Sequence, residues 1–185
     1  PEPIDQDGTM LWLANGRSYE EVLGSVETRI DSALSKEEYH IYNADGKRYI
    51  DGASQAAIRY GVYALQMAEV LGKANTDLDI HEKPYYEYRI LNHWDNLDDT
   101  VERGYAGLSM WEWTAKEIPA KRIHHYGELC ASVGLNGAVL NNVNANPLIL
   151  DKEHIERVAQ IANILREYGI TTYLSIKWTS PITLD

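Results

Sequence analysis

The fold is decided by residues 136–178, which read NGAVLNNVNANPLILDKEHIERVAQIANILREYGITTYLSIKW. Asn136 to Asn142 is a short apolar run typical of a buried strand, and Asp151 is a residue type that caps helices. Gly169 is a natural end for that helix, and Thr171 to Trp178 is again strand-like. A strand, a helix and a second strand in this order predict parallel pairing through a right-handed crossover.

The segment before it repeats the pattern. Tyr86 to His93 is strand-like, and Pro119 to Val133 predicts a helix that Gly134 stops. Two consecutive β-α-β units favour an open α/β sheet or a (β/α) barrel. A closed eight-stranded barrel takes roughly 250 residues, so residues 84–185 are expected to hold the first three β/α units of a TIM (β/α)8 barrel, incomplete in this chain. The second helix should bury the apolar positions Ile155, Val158, Ile161 or Ala162, and Leu165.

Residues 1–83 predict a small N-terminal α+β domain ahead of the barrel. Thr9 to Ala14 is strand-like, and Ser18 with Glu21 matches the capping box of a helix. Apolar residues at helical spacing extend that predicted helix through Val22, Val26 and Ile30.

A hairpin and a second helix complete the domain. Tyr39 to Asn43 and Lys47 to Ile50 flank a turn in which Gly46 supplies the positive φ. The helix is predicted over 54–71 and should end at Gly72. Its buried stripe is expected to be Ala56, Tyr60, Tyr63, Met67 and Val70.

Charge and cysteine content exclude several classes of protein. The formal net charge is −11, which repels phosphate backbones and anionic membrane surfaces, so neither nucleic acid nor a membrane is expected as a partner. The longest apolar stretch, 58–71, is interrupted by polar residues and is shorter than the ~20 residues of a membrane span. Cys130 is the single cysteine, which excludes an internal disulfide, and it is expected to be a core thiol.

Polar side chains follow two of the predicted parallel strands. Residues 91–96 read LNHWDN and residues 140–146 read LNNVNAN, and strand ends of this kind carry the active sites of barrels. Sugars are bound by aromatic faces together with amides and carboxylates. The alternative is that these Asn and Asp residues only make the turns that follow strands.

Residues 89–109, RILNHWDNLDDTVERGYAGLS, resemble a signature segment of glycoside hydrolase family 67, the α-glucuronidases. Residues 131–145 and 168–176 are similar to the next strands of that family, and residues 59–65 to the end of its α+β domain. The resemblance implies an inverting hydrolase of the α-1,2 link between (4-O-methyl-)glucuronic acid and xylo-oligosaccharides, with no metal or organic cofactor. Its partners would be xylo-oligosaccharides or glucuronoxylan fragments that carry glucuronic acid, and homodimerisation of the full-length enzyme is left open.

The resemblance also implies which residues bind the sugar. The catalytic carboxylates would lie on later strands, outside this chain, and the chain would contribute part of the glycone pocket. Arg103 could pair with the substrate carboxylate, because guanidinium binds carboxylates bidentately, or could instead order its own loop. The other residues expected at the pocket are Trp94, Asp95, Asn96, Asn142 and Val143.

Two positions depart from the family pattern. Asp99 stands where a glycine is usual, and Lys177-Trp178 replaces Asn-Phe near the end of the third predicted strand. The acidic cluster could hold an acid/base pair, but a solvated or helix-capping loop explains it better; its members are Asp95, Asp98, Asp99 and Glu102. His124 and His125 are neighbours and point about 100° apart on a helix, so no metal site is assigned.

Two other functions stay open at this point. The chain could be a carbohydrate-binding module that uses Trp94, Trp111 and Trp113 as a stacking platform, although packing is the more ordinary use of the last two. It could also be a different barrel glycosidase with its acid at Asp95 or Glu102, and then Asp95→Asn or Glu102→Gln would abolish activity.

Overall fold

The computed structural model describes residues 16–102, 107–144 and 146–179. The chain divides into two compact units, one of residues 1–87 with 131–134 and the other of residues 88–130 with 135–185. The predicted strand at Thr9 to Ala14 lies outside the described residues.

The first unit contains two helices and one four-stranded sheet. The strand order is β1-β3-β2-β4, with β1 parallel to β3 and the other pairs antiparallel. In chain order its elements are α1 (Tyr19–Leu23), β1 (Glu27–Ile30), β2 (Tyr39–Ala44), β3 (Lys47–Gly52), α2 (Gln55–Val70) and β4 (Asp79–Glu82).

The first helix is shorter than its sequence pattern predicts. The capping box is confirmed, because the Ser18 hydroxyl accepts the Glu21 N–H at 3.2 Å and the Glu21 carboxylate accepts the Ser18 N–H at 2.7 Å. The extension through Val26 and Ile30 is wrong, since α1 ends at Leu23. Residues Glu27–Ile30 pair instead with β3, which supplies their backbone hydrogen bonds and overrides the helical spacing.

The predicted hairpin is confirmed. Strands β2 and β3 pair from Tyr39 opposite Gly52 to Ala44 opposite Lys47. The two turn residues both have positive φ, 52° at Asp45 and 73° at Gly46. This backbone matches the right-handed twist of the two strands, so the turn fixes their register.

Helix α2 forms where predicted but buries a different face. Ser54 caps it by accepting the Ala57 N–H at 3.2 Å, and Gly72 follows it with φ 66°. The predicted stripe is correct at Tyr60 and Tyr63 but wrong at Met67 and Val70, which are each 39% exposed. The core against the sheet is formed by Ala57, Ile58, Val62, Leu65, Ile41 and Ile50.

Before β2, the buried Glu38 ties the start of the strand to β4. Its carboxylate accepts the Ser35 N–H at 2.8 Å and lies 2.8 Å from Nε2 of His81. These hydrogen bonds, the one from the Ser35 backbone first, lower the pKa of Glu38 to about 2.

The second unit is built around three parallel strands in the order β5-β6-β7. The predicted parallel sheet with helical connections is therefore confirmed, with strands shorter than the sequence pattern. A 3-10 turn, Pro147–Leu150, precedes helix α4. The elements are β5 (Ile90–Asn92), α3 (Ala120–Ser132), β6 (Gly137–Val139), α4 (Lys152–Glu167) and β7 (Thr171–Tyr173).

Helix boundaries in this unit agree with the sequence. Asp151 caps α4 by accepting the His154 N–H at 2.8 Å. Gly134 after α3 has φ 76° and Gly169 after α4 has φ 77°, values that glycine adopts without strain. The local residue chemistry therefore places each helix end correctly.

The core of this unit lies between the sheet and the helices. Ile161 and Leu165 are fully buried as predicted, whereas Ile155 is 40% exposed and was wrongly expected in the core. Cys130 is buried, which confirms its expected role as a core thiol, and burial raises the pKa of its thiol. These residues pack with Ala138, Leu140, Ile123 and Ile149.

Candidate functional site

The carboxyl ends of β5, β6 and β7 meet at one edge of the second sheet, because the strands are parallel and in register. Three connecting segments leave from that edge, residues 93–102, 140–144 and 174–177. They contain five of the six residues expected to bind sugar.

The first segment folds into a closed turn, residues 94–102. The Glu102 N–H donates to the Trp94 carbonyl at 2.8 Å, and the Asn96 N–H donates to the Thr100 carbonyl at 2.9 Å. The Asp98 carboxylate accepts the Thr100 hydroxyl at 2.6 Å. This hydrogen bond is the largest cause of a lowered pKa of Asp98, and the carboxylate caps the turn and not a helix.

Asn142 connects this turn to the end of β6. Its amide Nδ2 donates to the side-chain oxygen of Asn96, and its backbone N–H donates to the Asp95 carbonyl at 3.0 Å. Its own Oδ1 accepts the Asn144 N–H at 2.6 Å. The structure therefore brings Asn96 and Asn142 together, although they are far apart in sequence.

Asn141 is a second buried amide at this edge, and the sequence interpretation did not single it out. Its Nδ2 donates to the Ser175 carbonyl at 3.1 Å, and its Oδ1 accepts the Ser175 N–H at 2.9 Å. This reciprocal pair fastens the end of β6 to the segment that follows β7. The Asn-Asn repeat after a strand was the available signal, but it does not show which amide faces which strand.

Asp95 lies inside the fold. Its Oδ2 accepts the Ser109 hydroxyl at 2.7 Å and the Met110 N–H at 3.2 Å, and the residue is buried. The carboxylate therefore anchors the segment that returns after the turn. A contact between Asp95 and sugar stays a prediction.

Trp94 and Val143 lie at the same edge, in the turns that follow β5 and β6. Trp94 is half-buried, and Val143 is 54% exposed in a turn. Glu102 lies beside them, with its Oε1 3.4 Å from the Asn144 amide nitrogen. Arg103 lies outside the described residues.

Asp99 is the residue whose importance the sequence interpretation missed. Its φ is 66°, in the left-handed region that favours glycine. Its Oδ1 accepts the Trp113 N–H at 2.6 Å, and its Oδ2 accepts the Thr114 N–H at 3.2 Å together with the Thr114 hydroxyl. Aspartate tolerates this backbone conformation better than most residues and adds acceptors that glycine lacks.

The stacking platform of Trp111 and Trp113 is excluded. Both side chains are buried in the core of the second unit, Trp111 completely. Burial leaves no ring face open to a sugar, so a binding module that uses these two tryptophans is wrong and their packing role is confirmed.

Behind the edge, His93 joins a buried aromatic cluster. Its Nε2 lies 2.8 Å from the Tyr126 hydroxyl, and its ring meets the Trp111 ring edge to face. Burial lowers the pKa of His93, although the neighbouring Asp95 opposes this, and burial raises the pKa of Tyr126. Burial thus disfavours the charged form of each group.

Among residues 16–102, 107–144 and 146–179, no group of three or more His, Cys, Asp or Glu side chains is arranged to hold a metal ion. Over the same part of the chain, every helix is too short or too polar to span a bilayer.

Comparison with solved structures places the fold among glycoside hydrolases. A β-N-acetylhexosaminidase from Bacteroides fragilis superposes with a TM-score of 0.52 at 15% identity, over 82% of this chain and 33% of that one. A glycoside hydrolase family 20 β-N-acetylglucosaminidase gives a TM-score of 0.52 at 14% identity, over 86% of this chain and 36% of that one. At such identities the likeness concerns the fold alone.

Sequence comparison identifies the family. The model of the glycosyl hydrolase family 67 middle domain matches residues 69–185. The probable α-glucuronidase A of Aspergillus clavatus is 35% identical over 154 residues, which cover 82% of this chain and 18% of that protein. The α-glucuronidase A of Emericella nidulans is 36% identical over 152 residues, 79% of this chain and 18% of that protein. This chain belongs to glycosyl hydrolase family 67 and spans about a fifth of the length of these relatives.

Proposed function

We propose that this chain forms the α+β domain, residues 1–83, and the first three β/α units of the TIM barrel, residues 84–185, of a longer α-glucuronidase. That enzyme would release glucuronic acid or its 4-O-methyl form from the α-1,2 link to xylo-oligosaccharides. Support comes from the family match, from relatives that carry the name α-glucuronidase, and from the parallel strands with helical connections.

The reaction would proceed with inversion. One carboxylic acid protonates the leaving oxygen, and a carboxylate on the opposite face, ~6.5–9.5 Å away, activates water. Both groups are assigned to barrel strands outside this chain. Asp95 suits neither role, because its Oδ2 already accepts two hydrogen bonds inside the fold.

The observation that carries the assignment is the amide network at the strand ends. The buried Asn141 and Asn142 fix the turns after β5 and β7, while Trp94 and Val143 remain accessible beside them. An aromatic ring next to fixed polar groups is the arrangement that sugar recognition requires. The chain would thus bind and orient the glycone, with Arg103 proposed as the partner of its carboxylate.

Titration of the ¹⁵N-labelled chain with glucuronosyl-xylotriose tests this role. We expect amide shifts concentrated at 94–102 and 141–144, weaker binding by at least about fivefold in Trp94→Ala, and unchanged binding in the control Asn163→Ala, an exposed position on α4. Equal shifts with undecorated xylotriose, or none at these residues, would refute the glycone assignment.

Two further observations test the wider proposal. The chain alone should release no glucuronic acid from the same oligosaccharide, and release would place the catalytic carboxylates here. The coding sequence beyond the codon for Asp185 should continue through about five more β-α units with acidic residues at strand ends. A stop codon directly after it would remove the catalytic interpretation and favour a vestigial or sugar-binding domain.

A further inference from the structure

Asp99, near the apex of the turn of residues 94–102, is one of the side chains that attach this turn to other parts of the fold. The Asp99 N–H donates to the Asn96 carbonyl at 3.1 Å, inside the turn, while its carboxylate reaches residues 113 and 114. Asp99 therefore bonds in two directions, toward the strand end and toward a distant segment of irregular backbone.

That distant segment, residues 109–114, makes several of its backbone hydrogen bonds to two acidic residues, Asp95 and Asp99. The Ser109 N–H donates to the Asp99 carbonyl at 2.8 Å, and the Trp113 and Thr114 N–H groups donate to the Asp99 carboxylate. Asp95 accepts the Met110 N–H at 3.2 Å. Irregular backbone has no helix or sheet to satisfy its donors, so these two acidic residues take that place.

The segment is itself immobilised by the core. Trp111 and Trp113 are buried among the helices of the second unit. Arg157 on α4 donates to the Ala115 carbonyl at 3.0 Å and to the Glu117 carbonyl at 3.1 Å. Asp99 therefore attaches the turn of residues 94–102 to a rigid part of the fold. Asn96, within that turn, is thereby held against Asn142.

We infer that Asp99 is a positioning residue that sets the geometry of the sugar-facing turn 94–102 through its carboxylate. The expected effect of Asp99 on uronate affinity rests on the proposed function. Its effect on the geometry of the turn does not depend on any sugar. The Asp99 carboxylate would give this chain a preordered glycone turn, and ordering before binding raises affinity.

Three variants separate the backbone from the carboxylate. Asp99→Gly keeps the positive φ and removes every side-chain acceptor. Asp99→Asn keeps a residue that tolerates this φ and one oxygen for the Trp113 N–H, but its NH2 group can accept from neither Thr114 donor. Thr114→Val removes only the hydroxyl donor.

Amide hydrogen exchange of the full chain tests the inference. In Asp99→Gly we expect exchange at the Glu102 and Asn142 amides to accelerate about tenfold or more, whereas buried amides of α4 change by less than about twofold. Asp99→Asn and Thr114→Val should fall between this variant and the wild type. Unchanged rates at Glu102 and Asn142 in Asp99→Gly and Asp99→Asn would overturn the inference, as would equal acceleration across α4, which indicates global destabilisation only.

Titration with sodium D-glucuronate then tests the link to function. Affinity should fall about tenfold in Asp99→Gly and be partly restored in Asp99→Asn. Accelerated amide exchange with unchanged glucuronate affinity would overturn the positioning role, because Asp99 would then stabilise the turn without affecting sugar binding. If the wild-type chain binds no glucuronate, the proposed function fails, and the exchange data alone decide whether Asp99 orders the turn.

Discussion

Replacement of Asn141 by alanine removes the bond pair between the end of β6 and the segment after β7. The side chain makes two hydrogen bonds to Ser175, at 3.1 and 2.9 Å, and is 3% exposed. At ~0.5–1.5 kcal/mol net for each bond, the loss is roughly 1–3 kcal/mol. It stays below the cost of two fully orphaned groups because Ser175 is only half-buried and water can reach its backbone.

Urea unfolding followed by tryptophan fluorescence and circular dichroism measures this loss. All five tryptophans lie at positions 12, 94, 111, 113 and 178, and the buried pair reports on the second unit. In a thermal melt, the midpoint of that unit should fall by roughly 4–8 °C for each kcal/mol of unfolding free energy that is lost. Asn141→Asp keeps an acceptor for the Ser175 N–H but places a buried carboxylate against the Ser175 carbonyl, so its loss should be at least as large as that of alanine.

The matched control is Asn163→Ala, because Asn163 is exposed on α4 in the same unit. Its stability should change by less than about 0.5 kcal/mol. A loss below about 0.5 kcal/mol in Asn141→Ala, with the urea dependence unchanged, would show that the amide does not hold the two strand ends together.

Three other perturbations give clear expectations. Gly127→Ala places a methyl group 2.4 Å from Cδ2 of Tyr168, so a thermal melt should show a loss of ~1–3 kcal/mol. The pKa of Glu38 is lowered to about 2 in the folded chain, chiefly by the Ser35 hydrogen bond, so the stabilisation from its carboxylate is present above pH ~4.5 and is lost as pH falls toward 2. In Glu38→Gln, the urea midpoint of unfolding should therefore depend less on pH over that window than it does in the wild type. Wild-type and variant midpoints that fall in parallel with pH would contradict this. Cys130 is buried with a raised thiol pKa, so a thiol reagent should react with the native chain only at the rate of opening and rapidly in denaturant.

The hairpin and the helix ends of the second unit could be predicted because local chemistry determines them, and the parallel sheet could be predicted from the β-α-β order of its elements. Asp151, Gly134 and the Asp45-Gly46 turn each act within a few residues of their own position. Strands β1 and β4 could not be predicted in this way. Their sequences, ETRI and DIHE, lack an apolar alternation and are extended because they pair with β3 and β2.

The candidate site could be predicted only in outline. The family resemblance, which the sequence comparisons confirm, selected Trp94, Asn96 and Asn142. It could not show that the Asn142 amide bonds to Asn96, since that contact depends on the register of two parallel strands. The alternation of Trp111 and Trp113 likewise carries no information about which side of the chain is buried.

The spatial order of the second sheet has a consequence for how the polypeptide is assembled in the cell. Each strand pairs with the one made just before it, so β6 finds β5 already present, and β7 finds β6. A chain that leaves the ribosome amino end first can therefore add one strand and its helix at a time to a finished edge. Each addition closes a loop of only a few dozen residues, which favours rapid docking. The apolar face of each helix is therefore exposed to solvent for a shorter time before it packs.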